Sequence, residues 1–407
     1  MLFDIPYDVW TDIVQHVDRP TLRVLQATSS TLYSLACPIL YQQVVYRYGI
    51  TALRNESFWC RVLSPPSSNH RLYLPTSVLL KPRSVLIGPH RPDAIYSPAN
   101  VFSWSTLIPI VRTWKNVVSL NLQNIVIPHD IVIDFLHLPD LEYLALTNVS
   151  IPVDGNSQNA PESIVASPQA SLKSFVLKGQ VRGDVDGLDR VWTVVETVLR
   201  SRSLRSVTVD VEGLPSMARM VSSNSGDLLA SREYSFNTLT VIDNGRGRSR
   251  IWGPALRRVF VSVGTPLEKL SVLSLEDLDM TPVPLSFGCL RVLHGPTTLL
   301  LSLSSTTVHR LAEVVMTETI AEPLQFLTSF LRRSGDSLRE LKILKLNVVA
   351  MDDGFLIGLS SVAPGLEELH LESEYEDLST VRKSLNITSR KMTVFYRASL
   401  IHGLRHL

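Results

Sequence analysis

The chain has 407 residues, of which 45% are hydrophobic and 19% charged, and its formal net charge is +1. That composition excludes a wholly disordered polypeptide, and the near-neutral charge excludes a global field able to hold nucleic acid or an anionic membrane. No apolar run reaches the roughly 20 residues of a membrane helix, and the length points to two or three domains or one elongated repeat array.

The first predicted elements are three short helices over residues 5–41. The chain enters them through Ile5-Pro6-Tyr7-Asp8-Val9-Trp10. Asp4, Asp8 and Asp12 interrupt the apolar run and no basic residue precedes it, so a targeting signal is not expected. Val9, Ile13, Val14 and Val17 share one helical face. Pro6 suits a first helical turn, where its missing N–H costs nothing. Leu22 and Leu25 stripe a second helix, and Leu32, Leu35 and Ala36 a third. Pro38 is expected to restart the chain ahead of an extended Val44-Val45-Tyr46. About 40 residues cannot bury a self-sufficient core. The surplus of Ile5, Pro6, Tyr7, Val9 and Trp10 at one end is therefore expected to pack against another chain or the rest of this one.

Residues 47–110 read as a Pro-rich connecting layer that would cap the C-terminal region. Prolines from Pro65 to Pro109 leave no room for long helices, and short apolar pieces such as Leu72-Tyr73-Leu74 survive between them.

From about residue 111 to the end, an apolar-x-x-apolar-x-apolar phrase recurs. It is read at Val117/Leu120/Leu122, Leu141/Leu144/Leu146, Leu172/Phe175/Leu177, Leu204/Val207/Val209, Leu256/Val259/Val261, Leu270/Leu273/Leu275, Leu341/Leu344/Leu346 and Leu366/Leu369/Leu371. Its last residues alternate with period two, as a strand with one buried face requires. Helical stripes precede several phrases, among them Val191–Leu199, Phe326–Leu331 and Phe355–Val362. Leu120 to Leu144 is 24 residues and Phe175 to Val207 is 32, the spacing of leucine-rich repeats. Such units bury their edges only by stacking. The Asn or Cys usual three places after the last apolar residue is missing, and Asn124 and Asn148 fall one place early, so an irregular horseshoe is expected. Leu290–Leu338 holds no clean phrase and is expected to carry an insertion.

Residues 1–46 resemble an F-box on Ile5-Pro6, Asp8, Val9, Ile13, Val17, Leu22, Leu25, Ser29, Leu32 and Leu35-Ala36. The segment Cys37–Arg47, "CPILYQQVVYR", is similar to the exit seen in F-box proteins of mushroom-type fungi, which carry degenerate leucine-rich repeats. The resemblance implies an α/β protein: a small all-α F-box, then an irregular leucine-rich-repeat solenoid over 111–407. It implies a non-enzymatic substrate receptor of an SCF-type cullin–RING ubiquitin ligase. The F-box would dock a Skp-family adaptor and, through it, cullin, while the repeats hold an unknown protein target. The alternative is a repeat scaffold acting outside any ligase. By position, Ile5, Pro6, Val9, Ile13, Leu22, Leu25 and Leu32 would lie at or near the adaptor, some of them instead holding the helices together.

No phosphate-cradling Gly-rich loop, HExxH or GxSxG is present. Cys37, Cys60 and Cys289 form neither a disulfide framework nor a metal spacing. No cofactor is expected, and an intracellular, cytoplasmic or nuclear, setting is. Gly245–Arg250, "GRGRSR", is either a solvated loop or a contact for phosphate or an acidic peptide. The better-founded target surface is the set of residues between the apolar positions of each phrase, which should face the concave side. These include Glu142 and Tyr143, Lys173 and Lys178, and Glu367, Glu368, His370 and Glu372. They are expected to segregate charge, with an acidic C-terminal end that steers a partner.

Overall fold

The computed structural model describes residues 6–40, 42–48, 83–89, 116–150, 171–179, 195, 198–199, 201–211, 235–243, 256–257, 259–260, 267–273, 284–334, 338–349, 353–373 and 391–396. The chain divides into two compact units, Met1–Leu204 and Arg205–Leu407.

The first unit opens with α1 (Tyr7–Gln15), α2 (Arg19–Thr28) and α3 (Ser30–Leu40). Asp18 starts α2 by accepting from the Thr21 N–H at 3.2 Å, with Pro20 in the first turn. Ser29 starts α3 in the same way, its Oγ accepting from the Leu32 N–H at 3.2 Å. Val14, Leu22, Leu35 and Ala36 form the bundle core, with Trp10, Val17, Leu25, Ile39 and Leu40 packed around it. Pro38 does not restart the chain as expected: α3 runs through it to Leu40. The missing proline N–H falls in the last turn, and burial of Leu35, Ala36 and Cys37 just before it holds that turn in place.

A parallel ladder comes directly after the bundle: β1 (Gln43–Tyr48), β2 (Ser84–Pro89), β3 (Ser119–Gln123), β4 (Tyr143–Thr147) and β5 (Ser174–Lys178). β1 to β4 each pair in parallel with the next strand in sequence. The ladder thus begins in residues assigned from sequence to the helical and connecting segments, well before residue 111. Val85, Leu120, Leu144 and Phe175 share one buried register row, and Ile87, Leu122, Leu146 and Leu177 the next. Between β3 and β4, α4 (His129–Leu136) lays Ile131, Val132, Phe135 and Leu136 into the same core.

The turns leaving β3, β4 and β5 repeat one device. Asn124, Asn148 and Gly179 all take positive φ, at 49°, 49° and 75°. The Asn148 Nδ2 donates to Asn124 Oδ1 at 2.8 Å, and the backbone N–H groups of Asn124 and Asn148 bond the Thr147 and Lys178 carbonyls. The asparagines sit one place early because here they serve as the left-handed turn residue itself, a conformation short amide side chains tolerate.

The second unit carries β6 (Ser206–Asp210), β7 (Thr238–Ile242), β8 (Lys269–Leu273), β9 (Val292–Gly295), β10 (Glu313–Ile320), β11 (Ile343–Val348), β12 (Glu368–Ser373) and β13 (Lys391–Tyr396), again parallel and in sequence order. The connections hold α5 (Thr297–Ser302), α6 (Ser305–Val308), α7 (Pro323–Ser334) and α8 (Asp353–Val362). Three segments depart from expectation. Leu256, Val259 and Phe260 are buried in a helical segment, not a strand. In β8 the buried phrase is Leu267/Leu270/Val272, three residues earlier than the spacing suggests, so Leu273 falls on the opposite face. Leu290–Leu338 holds two strands of the ladder, built on Leu290/Leu293 and Leu311/Val314/Met316, the second shifting register against β11 between Val315 and Thr319.

Candidate functional site

Each ladder turns one sheet face to its core; on the other, here called the open face, most positions are half-buried, and Ala145, Val176 and Ser271 are buried. In the first unit the central row of the open face is Val45, Leu86, Asn121, Ala145 and Val176, matched in register across β1 to β5. Ser84, Ser119, Tyr143 and Ser174 form the row on one side. Gln123, Thr147 and Lys178 form the row on the other. Burial pushes the Tyr143 phenol above its ordinary pKa. Beside this face, at the N-terminal ends of the strands, a groove of 560 Å³ is lined by Pro38, Gln42, Arg83, Asn116, Asp140 and Glu142.

The second unit's open face is charged. Its central row runs Thr208, Thr240, Ser271, His294, Val315, Lys345, His370 and Thr393. His294 Nε2 lies 3.1 Å from Glu313 Oε1, and His370 Nε2 lies 3.3 Å from Glu368 Oε2. Burial holds the His294 imidazole below its usual range; the hydrogen bond with Glu313 opposes this, and Lys269 and Lys345 reinforce it.

The expected target residues all lie at the open faces but do not segregate charge. Lys173 Nζ sits 2.5 Å from Glu142 Oε1, and Lys342 Nζ sits 3.0 Å from Glu367 Oε1. Exposed neighbours of opposite sign neutralise each other, and each pair stabilises by no more than about 1 kcal/mol. The acidic C-terminal end is thus interleaved with Lys342 and Lys345; Glu374 and the acids after it, like Gly245–Arg250, lie outside the described residues. Among the described residues no three His, Cys, Asp or Glu gather as a metal site requires, and no helix is long and apolar enough to cross a membrane.

The helical bundle sorts the residues expected at an adaptor. Leu22, 1% exposed, belongs to the bundle core and holds the helices together. Leu25 packs against that core and Leu32 is half-buried. Pro6 is exposed, as are Val9 at 46% and Ile13 at 42%. Ile5 lies outside the described residues. Val24 was not singled out from sequence, yet it is 62% exposed on α2. Its place beside the Leu22/Leu25 stripe was the available signal.

No known family pattern and no curated protein matches the chain. Among solved structures it is similar to an internalin from Listeria monocytogenes, at 12% identity and a TM-score of 0.27, over 97% of this chain and 94% of that one. It is also similar to the protein of a TLR13–ssRNA13 complex, at 10% identity and a TM-score of 0.22, over 76% of this chain but 57% of that one. Likenesses this low add nothing to what the strand register defines: a parallel α/β ladder in each unit with its strands in sequence order, the first preceded by a three-helix bundle.

Proposed function

We propose that the chain is a substrate-recognition adaptor of an SCF-type ubiquitin ligase, its helical bundle docking a Skp-family protein and its ladders holding a protein target. The observation that carries this reading is the distribution of apolar side chains in the bundle. Val14, Leu22, Leu35 and Ala36 already supply its core, yet Val9, Ile13 and Val24 stand exposed on two consecutive helices. Water does not stabilise three branched aliphatic side chains on so small a unit; a partner's apolar surface does, at about 25 cal/mol per Å² removed from water. In this role the chain performs no chemistry. It supplies proximity and orientation to transfer catalysed on other subunits.

Co-purification of the full chain with a Skp-family adaptor and cullin tests the reading. The wild type should recover both, and Val9→Asp/Ile13→Asp neither, with an unchanged circular dichroism spectrum because both positions are exposed. Recovery of adaptor without cullin would instead place the chain among repeat scaffolds outside any ligase. No recovery of adaptor by the wild type would end the proposal.

A further inference from the structure

β1 is the first strand of its ladder, and among the described residues it pairs on one side only, with β2. Successive residues of a strand turn their backbone N–H and C=O groups to opposite sides. The Gln42 carbonyl accepts from the Ser84 N–H at 2.9 Å, which turns Gln42, Val44 and Tyr46 toward β2. Gln43, Val45 and Arg47 therefore turn theirs to the other edge. Among the described residues no hydrogen bond reaches the Val45 N–H or C=O across that edge.

The side chain at that position is uncovered in the same way. Val45 is 49% exposed, whereas Leu86 and Asn121, next in its row and each with a strand on either side, are half-buried. Natural sheets blunt such edges with proline, lysine or a bulge. β1, Gln-Val-Val-Tyr-Arg-Tyr, has no proline and no lysine, and its register with β2 runs unbroken. Its valines and tyrosines favour strands, and Arg47 is its one charge.

We propose that this edge is a dimer interface and that its occupant is β1 of a second copy of the chain, antiparallel across a two-fold axis at Val45. A two-fold contact must be self-complementary, and β1 is so in this register. Val45 meets Val45 of the second copy and exchanges both backbone bonds with it. Val44 comes opposite Tyr46, and Gln43 opposite Arg47, so apolar positions meet apolar ones and the charge meets an amide. Moving the axis by one residue sets Val45 against Gln43 or Arg47. Moving it to Arg47 opposes like charges, which destabilises directly facing pairs, and moving it to Gln43 runs the pairing into the end of α3. One added strand pair is a small interface, so association is expected at about micromolar concentration.

Sedimentation velocity of the full chain at about 1–100 µM, which brackets that range, should show monomer passing into dimer. Val45→Pro removes only the outward N–H and keeps the bonds to β2. It should hold the chain monomeric with an unchanged circular dichroism spectrum. Val45→Lys sets two ammonium groups together at the axis and should do the same, which keeps the test open if the proline variant does not fold. Gln43→Glu gives Arg47 a facing carboxylate twice per dimer and should tighten association about fivefold. Val45→Cys sets two Cα atoms about 5.5 Å apart, within disulfide range, so mild oxidation should yield a cross-linked dimer that the wild type does not give. A chain that stays monomeric throughout overturns the proposal, and so do open-ended oligomers, which mark a head-to-tail contact. A dimer indifferent to both Val45→Pro and Val45→Lys, or one that Val45→Cys fails to cross-link, overturns it equally.

Discussion

At the scale of single residues, the chain places glycine where geometry demands it. Gly179 has φ 75°, and a Cβ built there would lie 1.7 Å from Asn148 Oδ1. Gly179→Ala must therefore break the Asn124–Asn148 turn ladder as well as adopt a left-handed backbone. The expected cost is about 1–3 kcal/mol, measured as a lower urea midpoint; an unchanged midpoint would show that the ladder contributes nothing. His294 carries the clearest pH dependence. Above the ordinary imidazole pKa of about 6.5, both the folded and the unfolded chain hold it neutral. As pH falls below that value the unfolded chain takes the proton first, because burial has lowered the folded-state pKa. Stability is therefore lost with falling pH until the folded imidazole is protonated too. Between about pH 7.5 and 5.5, a window spanning that ordinary value, the wild type should lose more thermal midpoint than His294→Gln; equal losses would remove His294 from the account.

Among elements, the bundle and the α5–α6 region make opposite demands on a substitution. Leu22→Ala removes a side chain from a core of four buried residues and should destabilise the bundle by about 2–4 kcal/mol. Val24→Ala, on the exposed side of the same helix, should change the thermal midpoint little. Thr307 is fully buried in α6, where its Oγ1 accepts from the Phe287 N–H at 2.9 Å and contacts the Phe287 carbonyl at 3.4 Å. Thr307→Val keeps the shape and strands that N–H, so a loss of about 1–3 kcal/mol is expected in chemical unfolding.

The same scale explains what could be read in advance. β3, β4, β5, β6, β11 and β12 were legible because two apolar residues at period two leave no helical alternative of equal quality. Leu256/Val259/Val261 misled because Leu256, Val259 and Phe260 fit helical spacing equally well, and burial of Phe260 decided the matter. β7 and β10 carry the same apolar phrase, in Phe236/Leu239/Val241 and Leu311/Val314/Met316, whereas β9 does not, because Gly295 takes its last place. The open-face positions were legible from alternation alone. The exposure of Val24 was legible only as a place beside the Leu22/Leu25 stripe, since its degree depends on which neighbours the fold brings alongside.

For the molecule as a whole, the near-zero net charge has a direct reading. A chain of formal charge +1 with opposite charges paired along its open faces should pass through a heparin column at about 0.15 M salt. Retention would point to the Gly245–Arg250 cluster as an anion site. The strand order carries a further meaning, for biosynthesis. Within each unit the described pairings join a strand to the one next in the sequence. No rung waits for a distant part of the polypeptide, so loop-closure entropy is met in small increments. The ribosome delivers the chain in that same order, helical bundle first, then β1 and β2, and each new strand finds its template already in place as it emerges.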